Sequence, residues 1–269
     1  MAAKSSRRII IGDVHGHYDG LVALLDKVGP TTADEVHFLG DLIDRGPRSS
    51  DVVELVYRQG YSSLLGNHEH MLLQAFPDGG QSSDALQPWL YSGGNSTIAS
   101  YKEWDQLLEH IDWIKTLPLY RDLGDAWLAH AGLHPALPIS RQTPQELCWI
   151  REDFHSIPRP YFIDKLIIIG HTITFTLPGV KPGELAQGNG WLDIDTGAYH
   201  PRSGWLTALD IDSWKIYQVN VLQRRARILP FEEVVTRVDI ARIAAGSSVR
   251  LAQPKNETSN RKKSSRQSA

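Results

Sequence analysis

Six short stretches of this chain each close an apolar run with residues able to bind a metal ion. They are Ile11-Gly12-Asp13-Val14-His15-Gly16, Leu39-Gly40-Asp41-Leu42-Ile43-Asp44-Arg45-Gly46, Leu65-Gly66-Asn67-His68-Glu69, Leu128-Ala129-His130-Ala131-Gly132, Ile169-Gly170-His171 and Ile194-Asp195-Thr196-Gly197. An apolar run fills a buried strand, and a glycine at its end lets the backbone turn or approach a neighbour closely. In an open α/β sheet the ligand crevice lies outside the carboxyl ends of the strands, so residues just past several strands converge. If Gly12 to His15 stays extended, Asp13 and His15 point the same way and can share one ion. The repetition predicts an α/β protein with a catalytic metal centre.

The flanking pattern fits. Strands are expected at Arg8–Ile11, Val36–Leu39, Ser62–Leu65, Ala126–Ala129, Leu166–Ile169, Trp191–Ile194, Leu206–Asp210 and Trp214–Val219, and helices at Tyr18–Val28, Ser49–Arg58, Glu69–Phe76 and Trp104–Leu117. The late strands follow one another without helices between them, which predicts antiparallel pairing in a second sheet. Asp78 to Gly94, rich in Gly, Ser, Pro and Gln, reads as a connecting loop, or as a lid exposing Trp89 and Tyr91.

Asp-x-His-Gly, then Gly-Asp-x-x-Asp-Arg-Gly, then Gly-Asn-His-Glu, spaced by about one βα unit of some thirty residues, followed by two later histidines, resembles the calcineurin-like metallophosphoesterases. Within them the chain is most similar to the phosphoprotein phosphatase branch that includes bacterial and phage serine/threonine phosphatases. The match runs from Ile9 to about Leu209. The resemblance implies two mixed β-sheets packed face to face with helices outside, an α/β fold (α+β in some schemes). Residues 1–245 would form the catalytic domain, with the motifs inside 9–210.

It also implies a set of roles. Asp13, His15 and Asp41 would hold one divalent ion, and Asp41, Asn67, His130 and His171 a second, with Asp41 as the bridge. Two ions about 3.5–4 Å apart bind phosphoryl oxygens and lower the pKa of a bridging water so that it attacks at neutral pH. Carboxylate, imidazole and amide oxygen without thiolate suit Mn first, with Fe or Zn as alternatives. Arg45 and Arg151, the latter in Cys148-Trp149-Ile150-Arg151, would grip the phosphate oxygens through the planar guanidinium fork. His68 would protonate the leaving alcohol, Asp44 would orient it, and Glu69 would support the ligands from behind. Of the other histidines, His17, His70, His134, His155 and His200 match no motif position; His134 and Tyr199 are expected to line the cleft. Asp195 resembles a position near the site and equally suits a structural hydrogen bond.

The activity implied is metal-dependent hydrolysis of phosphate monoesters, with phosphorylated serine or threonine in a protein or peptide as substrate. Symmetrical dinucleoside tetraphosphate hydrolysis is the alternative on nearly the same scaffold; those enzymes usually carry Ala where Asp44 stands and Asp where Glu69 stands. A nuclease or phosphodiesterase usually has Gly-His-x-His as its last motif, and Gly170-His171-Thr172-Ile173 lacks the second histidine. A non-catalytic scaffold has no physical need for so many converging polar groups.

Composition narrows the class further. The 269 residues are 41% hydrophobic, enough for one large domain with its own core. One cysteine, Cys148, excludes an intramolecular disulfide and suits a reducing, cytoplasmic compartment. A net charge of −3 carries no electrostatic footprint for nucleic acid. No apolar run nears the roughly 18 residues of a spanning helix, so no membrane partner is expected. From Gln253 onward the chain has five basic residues against one acid, Glu257, and few apolar ones; residues 246–269 are expected to be a disordered basic tail.

Overall fold

The computed structural model describes residues 6–77, 80 and 82–251. The strands are β1 (Arg8–Ile11), β2 (Glu35–Phe38), β3 (Ser62–Ser63), β4 (Tyr120–Asp122), β5 (Ala126–Ala129), β6 (Leu166–Ile169), β7 (Leu185–Gln187), β8 (Trp191–Asp193), β9 (Trp205–Asp210), β10 (Lys215–Asn220), β11 (Arg225–Pro230) and β12 (Val235–Arg237). The helices are α1 (Tyr18–Val28), α2 (Ser49–Arg58), α3 (Asn67–Ala75), α4 (Ser83–Trp89), α5 (Asn95–Ser100), α6 (Trp104–Ile114), α7 (Pro144–Trp149), α8 (Glu152–His155) and α9 (Ile240–Leu251).

Two six-stranded mixed sheets form, in the orders β11-β10-β9-β1-β2-β3 and β12-β7-β8-β6-β5-β4. Strand alternation explains how they stack. Ile9 and Ile11 pack with Leu21, Leu24, Val52 and Val56 of α1 and α2, whereas Ile10 joins Leu128, Ile168 and Leu209 in the layer between the sheets. β6 repeats the pattern, with Ile168 turned inward and Ile167 and Ile169 packed with Leu147 and Phe154 of α7 and α8. Each sheet therefore has a helix-covered face and a face buried against the other sheet, which requires apolar side chains on both sides of β1 and β6.

β1, β2 and β3 are mutually parallel, and so are β5, β6 and β8. Their carboxyl ends carry all six motifs. The late strands differ from expectation in one respect. β9 and β10 do pair antiparallel, but they extend the first sheet through β1; the second sheet is centred on parallel β5, β6 and β8. The segment from 82 to 94 is also not a loop: it holds α4 and a wide turn, Leu90–Gly94. Trp89 is fully buried there, against the expectation of exposure, while Tyr91 is exposed. α9 runs to Leu251, so the expected boundary at 245/246 falls inside a helix. The rest of the expected tail lies outside the described residues. No helix among the described residues is long and apolar enough to cross a membrane.

Candidate metal centre

The loops after β1 and β2 interlock before any side chain is considered. Val14 N and His15 N donate to Asp41 O at 3.1 and 2.9 Å, and Gly46 N donates to His15 O at 2.9 Å. Such a knot demands unusual backbone. His15 (φ 49°), Asp41 (50°), Asp44 (72°), Arg45 (70°) and His171 (68°) all lie in the left-handed region, so the stretch from Gly12 does not stay extended through His15. L residues pay for that conformation, and five in one site indicate that the surrounding structure enforces it. Gly40 (φ 104°) is required as glycine, since a Cβ there would sit 2.6 Å from Gly66 N.

Glu69 does much of the enforcing. From the first turn of α3 its carboxylate is buried and accepts backbone N–H bonds from Asp41 (2.8 Å), Gly66 (3.0 Å), Leu42 (2.8 Å) and Ile43 (3.2 Å). Glu69→Gln replaces one of those acceptor oxygens with an amide donor facing an N–H. It should lower unfolding free energy by about 2–4 kcal/mol, measured by urea titration; a loss under about 0.5 kcal/mol would mean that the loop holds itself.

Asp41 is the hub. His15 Nε2 lies 3.5 Å and His68 Nε2 3.9 Å from its Oδ2, and His130 Nε2 lies 3.4 Å from its Oδ1. Two groups of possible ligand atoms share it, His15–Asp41–His68 and Asp41–His130–His171. Burial alone would raise the Asp41 pKa, but the rings of His130, His68, His15 and His171 outweigh it whenever they carry a proton and hold the carboxyl well below its usual range. Asp13 is buried with both oxygens accepting from His171 N at 3.1 and 3.3 Å. Burial and the charges of Asp195 and Asp41 push its pKa well up, as expected of a carboxylate crowded by others without a countercharge.

The imidazoles are set for ligation. Burial lowers the pKa of His15, His130 and His171, favouring the neutral ring. His15 Nδ1–H donates to Ile43 O at 3.0 Å and His130 Nδ1–H to Leu39 O at 2.9 Å, which leaves each Nε2 with a lone pair facing Asp41. Asn67 Oδ1, an acceptor, stands 2.9 Å from His130 Nε2 and from His171 Nδ1, and His171 Nε2 is buried without a partner. With Nδ1–H of His130 committed to Leu39, two lone pairs face each other across 2.9 Å. A cation among Asp41, Asn67, His130 and His171 turns that repulsion into attraction, so the donor set fits divalent metal.

Beside this cluster stands a second device. His68 is buried, with Nδ1 2.6 Å from Asp44 Oδ2. The same Asp44 oxygen accepts from Trp89 Nε1 at 2.9 Å, and its other oxygen accepts from Thr97 Oγ1 at 2.6 Å. Trp89 belongs to the segment misread as a loop and Thr97 to α5 just after it, and they are the functional neighbours that sequence reasoning missed. The one available signal was a lone tryptophan in a Gly/Ser-rich stretch. Arg45 stacks 3.9 Å over the Tyr199 ring, and its Nη2 donates to His68 Nε2 at 2.9 Å. Arg151, placed just past α7, is exposed and donates to His171 O (3.3 Å) and Thr172 Oγ1 (3.1 Å). Both arginines line one cavity of about 130 Å³ together with His15, Asp41, Asn67, His171 and Tyr199. Asp195 Oδ1 accepts from Gly197 N at 2.9 Å, and burial pushes its pKa up to about 6. His134 lines an adjoining cavity of about 490 Å³ that also reaches Arg151. His155 is buried, Nδ1 bonding Arg151 O at 2.7 Å.

Comparison with known proteins agrees with the geometry. Symmetrical bis(5'-nucleosyl)-tetraphosphatase of Shigella dysenteriae is 34% identical over 166 residues, 58% of this chain and 54% of that protein. The Dechloromonas aromatica enzyme of the same description is 31% identical over 134 residues, 49% of this chain and 45% of that protein. The chain spans about half the length of the curated relatives it matches. Among solved structures, one provisionally described as a diadenosine tetraphosphatase superposes with a TM-score of 0.57 at 22% identity, covering 86% of this chain and 96% of that one. A Saccharomyces cerevisiae serine/threonine phosphatase gives 0.53 at 16%, covering 78% and 74%. These structural likenesses concern the fold. A family model for the calcineurin-like phosphoesterases matches residues 6–196, the span that carries the first five motifs and the sixth through Thr196, and the chain belongs to that family.

Proposed function

We propose that this metallophosphoesterase hydrolyses phosphate monoesters of alcohols, with phosphoserine and phosphothreonine in proteins or peptides as its main substrate class. The observation that carries the reading is the buried Asp44–His68 pair at 2.6 Å, locked by Trp89 and Thr97. A serine alkoxide is a poor leaving group and needs a proton as the P–O bond breaks. A positioned acid has a task on such substrates that it largely lacks where the leaving group is a weak base.

Two divalent ions, with Mn²⁺ the first candidate, supply when bound the charge that holds phosphoryl oxygens and acidifies water. Asp13, His15 and Asp41 are the ligands we assign to one ion, and Asp41, Asn67, His130 and His171 those of the other. Arg45 and Arg151, which line the same cavity, bind the outer phosphate oxygens. Arg45 has a second part: while it donates to His68 Nε2, that nitrogen carries no proton. Drawn to phosphate, it releases Nε2 to hold one. Burial opposes charge on His68, but Asp41 and the bond to Asp44 outweigh it and raise its pKa, so the freed ring can take up the proton that it delivers to the leaving oxygen.

A second reading has its own support. The curated relatives above are described as symmetrical tetraphosphatases, and sequence comparison favours a dinucleoside tetraphosphate over a phosphoprotein. Its leaving group, a nucleoside diphosphate, needs protonation less. The deciding experiment compares kcat/KM of the Mn²⁺-loaded chain on a phosphoserine peptide and on diadenosine tetraphosphate. Our reading expects the peptide to be preferred by about tenfold or more, some 1.4 kcal/mol in transition-state stabilisation; the reverse order would establish the second reading in its place.

A further inference from the structure

A second polar pocket lies at the opposite end of the sandwich, at the amino ends of β2 and β3, away from the metal loops at their carboxyl ends. Strand alternation places two of its side chains. Val36 and Phe38 pack on the helix side of the first sheet, so His37 between them faces the second sheet. Tyr120 stacks on Trp127 of the outer core, whereas Arg121 pairs across the ladder with Leu128, which lies between the sheets. His37 and Arg121 therefore both point into the mouth of the inter-sheet space, at the open edge between β3 and β4.

Neither is satisfied there. His37 is 5% exposed, and its Nδ1 has no partner among the described residues; Arg121 Nε is likewise buried without one. A buried donor or acceptor left unpaired is costly, so two on one cavity wall are a reason to expect a ligand. The cavity measures about 520 Å³ and is also lined by Thr31, Ser62 and Tyr61. Its acids already have partners: Asp34 pairs with Arg7 at 2.8 Å and accepts from Thr31, and Glu35 lies 3.3 Å from Nε2 of His37 itself.

We infer that this pocket binds a protonated phosphate group, free or carried on a small organic molecule. The chemistry follows from the two orphaned atoms. Glu35 is an acceptor, so His37 Nε2 carries the hydrogen and Nδ1 presents a lone pair that needs a donor. Arg121 needs an anionic acceptor. A phosphate that keeps one P–OH offers both, the hydroxyl to His37 and an ionised oxygen to Arg121, with the Ser62 and Thr31 hydroxyls near for the remaining oxygens. A carboxylate or a sulfate at neutral pH lacks the donor.

The test follows the ring nitrogen resonances of His37 by NMR in the full chain during titration with inorganic phosphate, methylphosphonate (an organic, unhydrolysable P–OH) and sulfate. Inorganic phosphate should shift the His37 signals saturably, methylphosphonate should match it if organic phosphates are accepted, and sulfate should bind about tenfold more weakly for want of one hydrogen bond. Arg121→Gln should raise the phosphate dissociation constant about tenfold or more while the responses of metal-site histidines such as His130 persist. His37 signals that stay still while the His130 signals saturate, or that respond equally in Arg121→Gln, would overturn the inference.

Discussion

Asp41→Asn should abolish hydrolysis of every phosphate ester, with kcat/KM falling by roughly four orders of magnitude or more. Asp41 stands between both groups of candidate ligands, so the substitution weakens both ion sites at once, and each ion is worth several kcal/mol to a phosphoryl transition state. Elemental analysis of the purified variant should show both ions depleted, while circular dichroism stays that of a folded protein. A variant that retains two ions and near-normal turnover would remove Asp41 from the centre of the account.

His68→Asn separates acid catalysis from metal binding, and the separation is needed because His68 also lies among the atoms that could hold an ion with His15 and Asp41. Under the acid reading, phosphoserine hydrolysis should fall by about 10²–10⁴-fold, the usual worth of a positioned proton donor. Nitrophenyl phosphate, whose leaving group has a pKa near neutrality, should lose about tenfold or less. Asp44→Asn should show a milder form of the same bias, since the ring keeps its place but loses the carboxylate that orients its Nδ1–H. Both variants should hold as much metal as the parent. Equal losses on the two substrates, or loss of an ion, would place His68 in the ligand set instead.

The elements that present the site could be read in the sequence because each is a locally coded apolar strand followed at once by a ligand-type residue, in four of the six motifs through a glycine. Ile9–Ile11 and Leu166–Ile169 are apolar on both faces, which only a strand buried on both sides requires, and their structural bounds agree with the reading. What escaped depends on partners distant in the chain. β11 is exposed at Arg225, Ala226, Ile228 and Pro230 and only half-buried at Arg227 and Leu229, because it is an edge strand satisfied by β10 alone. β9 and β10 were recognised as antiparallel strands, but nothing local says which sheet they join; that is settled by β1 offering its free edge to β9. α7 was missed although Thr143-Pro144-Gln145-Glu146 carries a capping box and a proline at the first helical position.

The site divides in the same way. Most residues named for metal or phosphate lie around the Asp41 hub or the small cavity beside it, because strand-end ligands are fixed by topology; Asp13 is the exception, its carboxylate bonded by His171 N and outside both groups of possible ligand atoms, where His68 stands with His15 and Asp41. The support of Asp44 could not be read, since the burial of Trp89 follows from a bond made across 45 residues to a carboxylate in another motif. The condition under which Asp13 and His15 would point the same way, an extended Gly12 to His15, is not met. His15 turns into the left-handed region so that its backbone can bond Asp41 O and Gly46 N, and its ring still reaches Asp41.

The central claim is that six residues, Asp13, His15, Asp41, Asn67, His130 and His171, form a site for two divalent ions on which hydrolysis depends. Its most direct test is to strip the protein with a chelator, then titrate Mn²⁺ back while following bound metal by elemental analysis alongside nitrophenyl phosphate hydrolysis. The account predicts no turnover in the stripped chain and recovery that rises with binding to two ions per chain. Protein that hydrolyses the ester with no bound or bindable transition metal would contradict it.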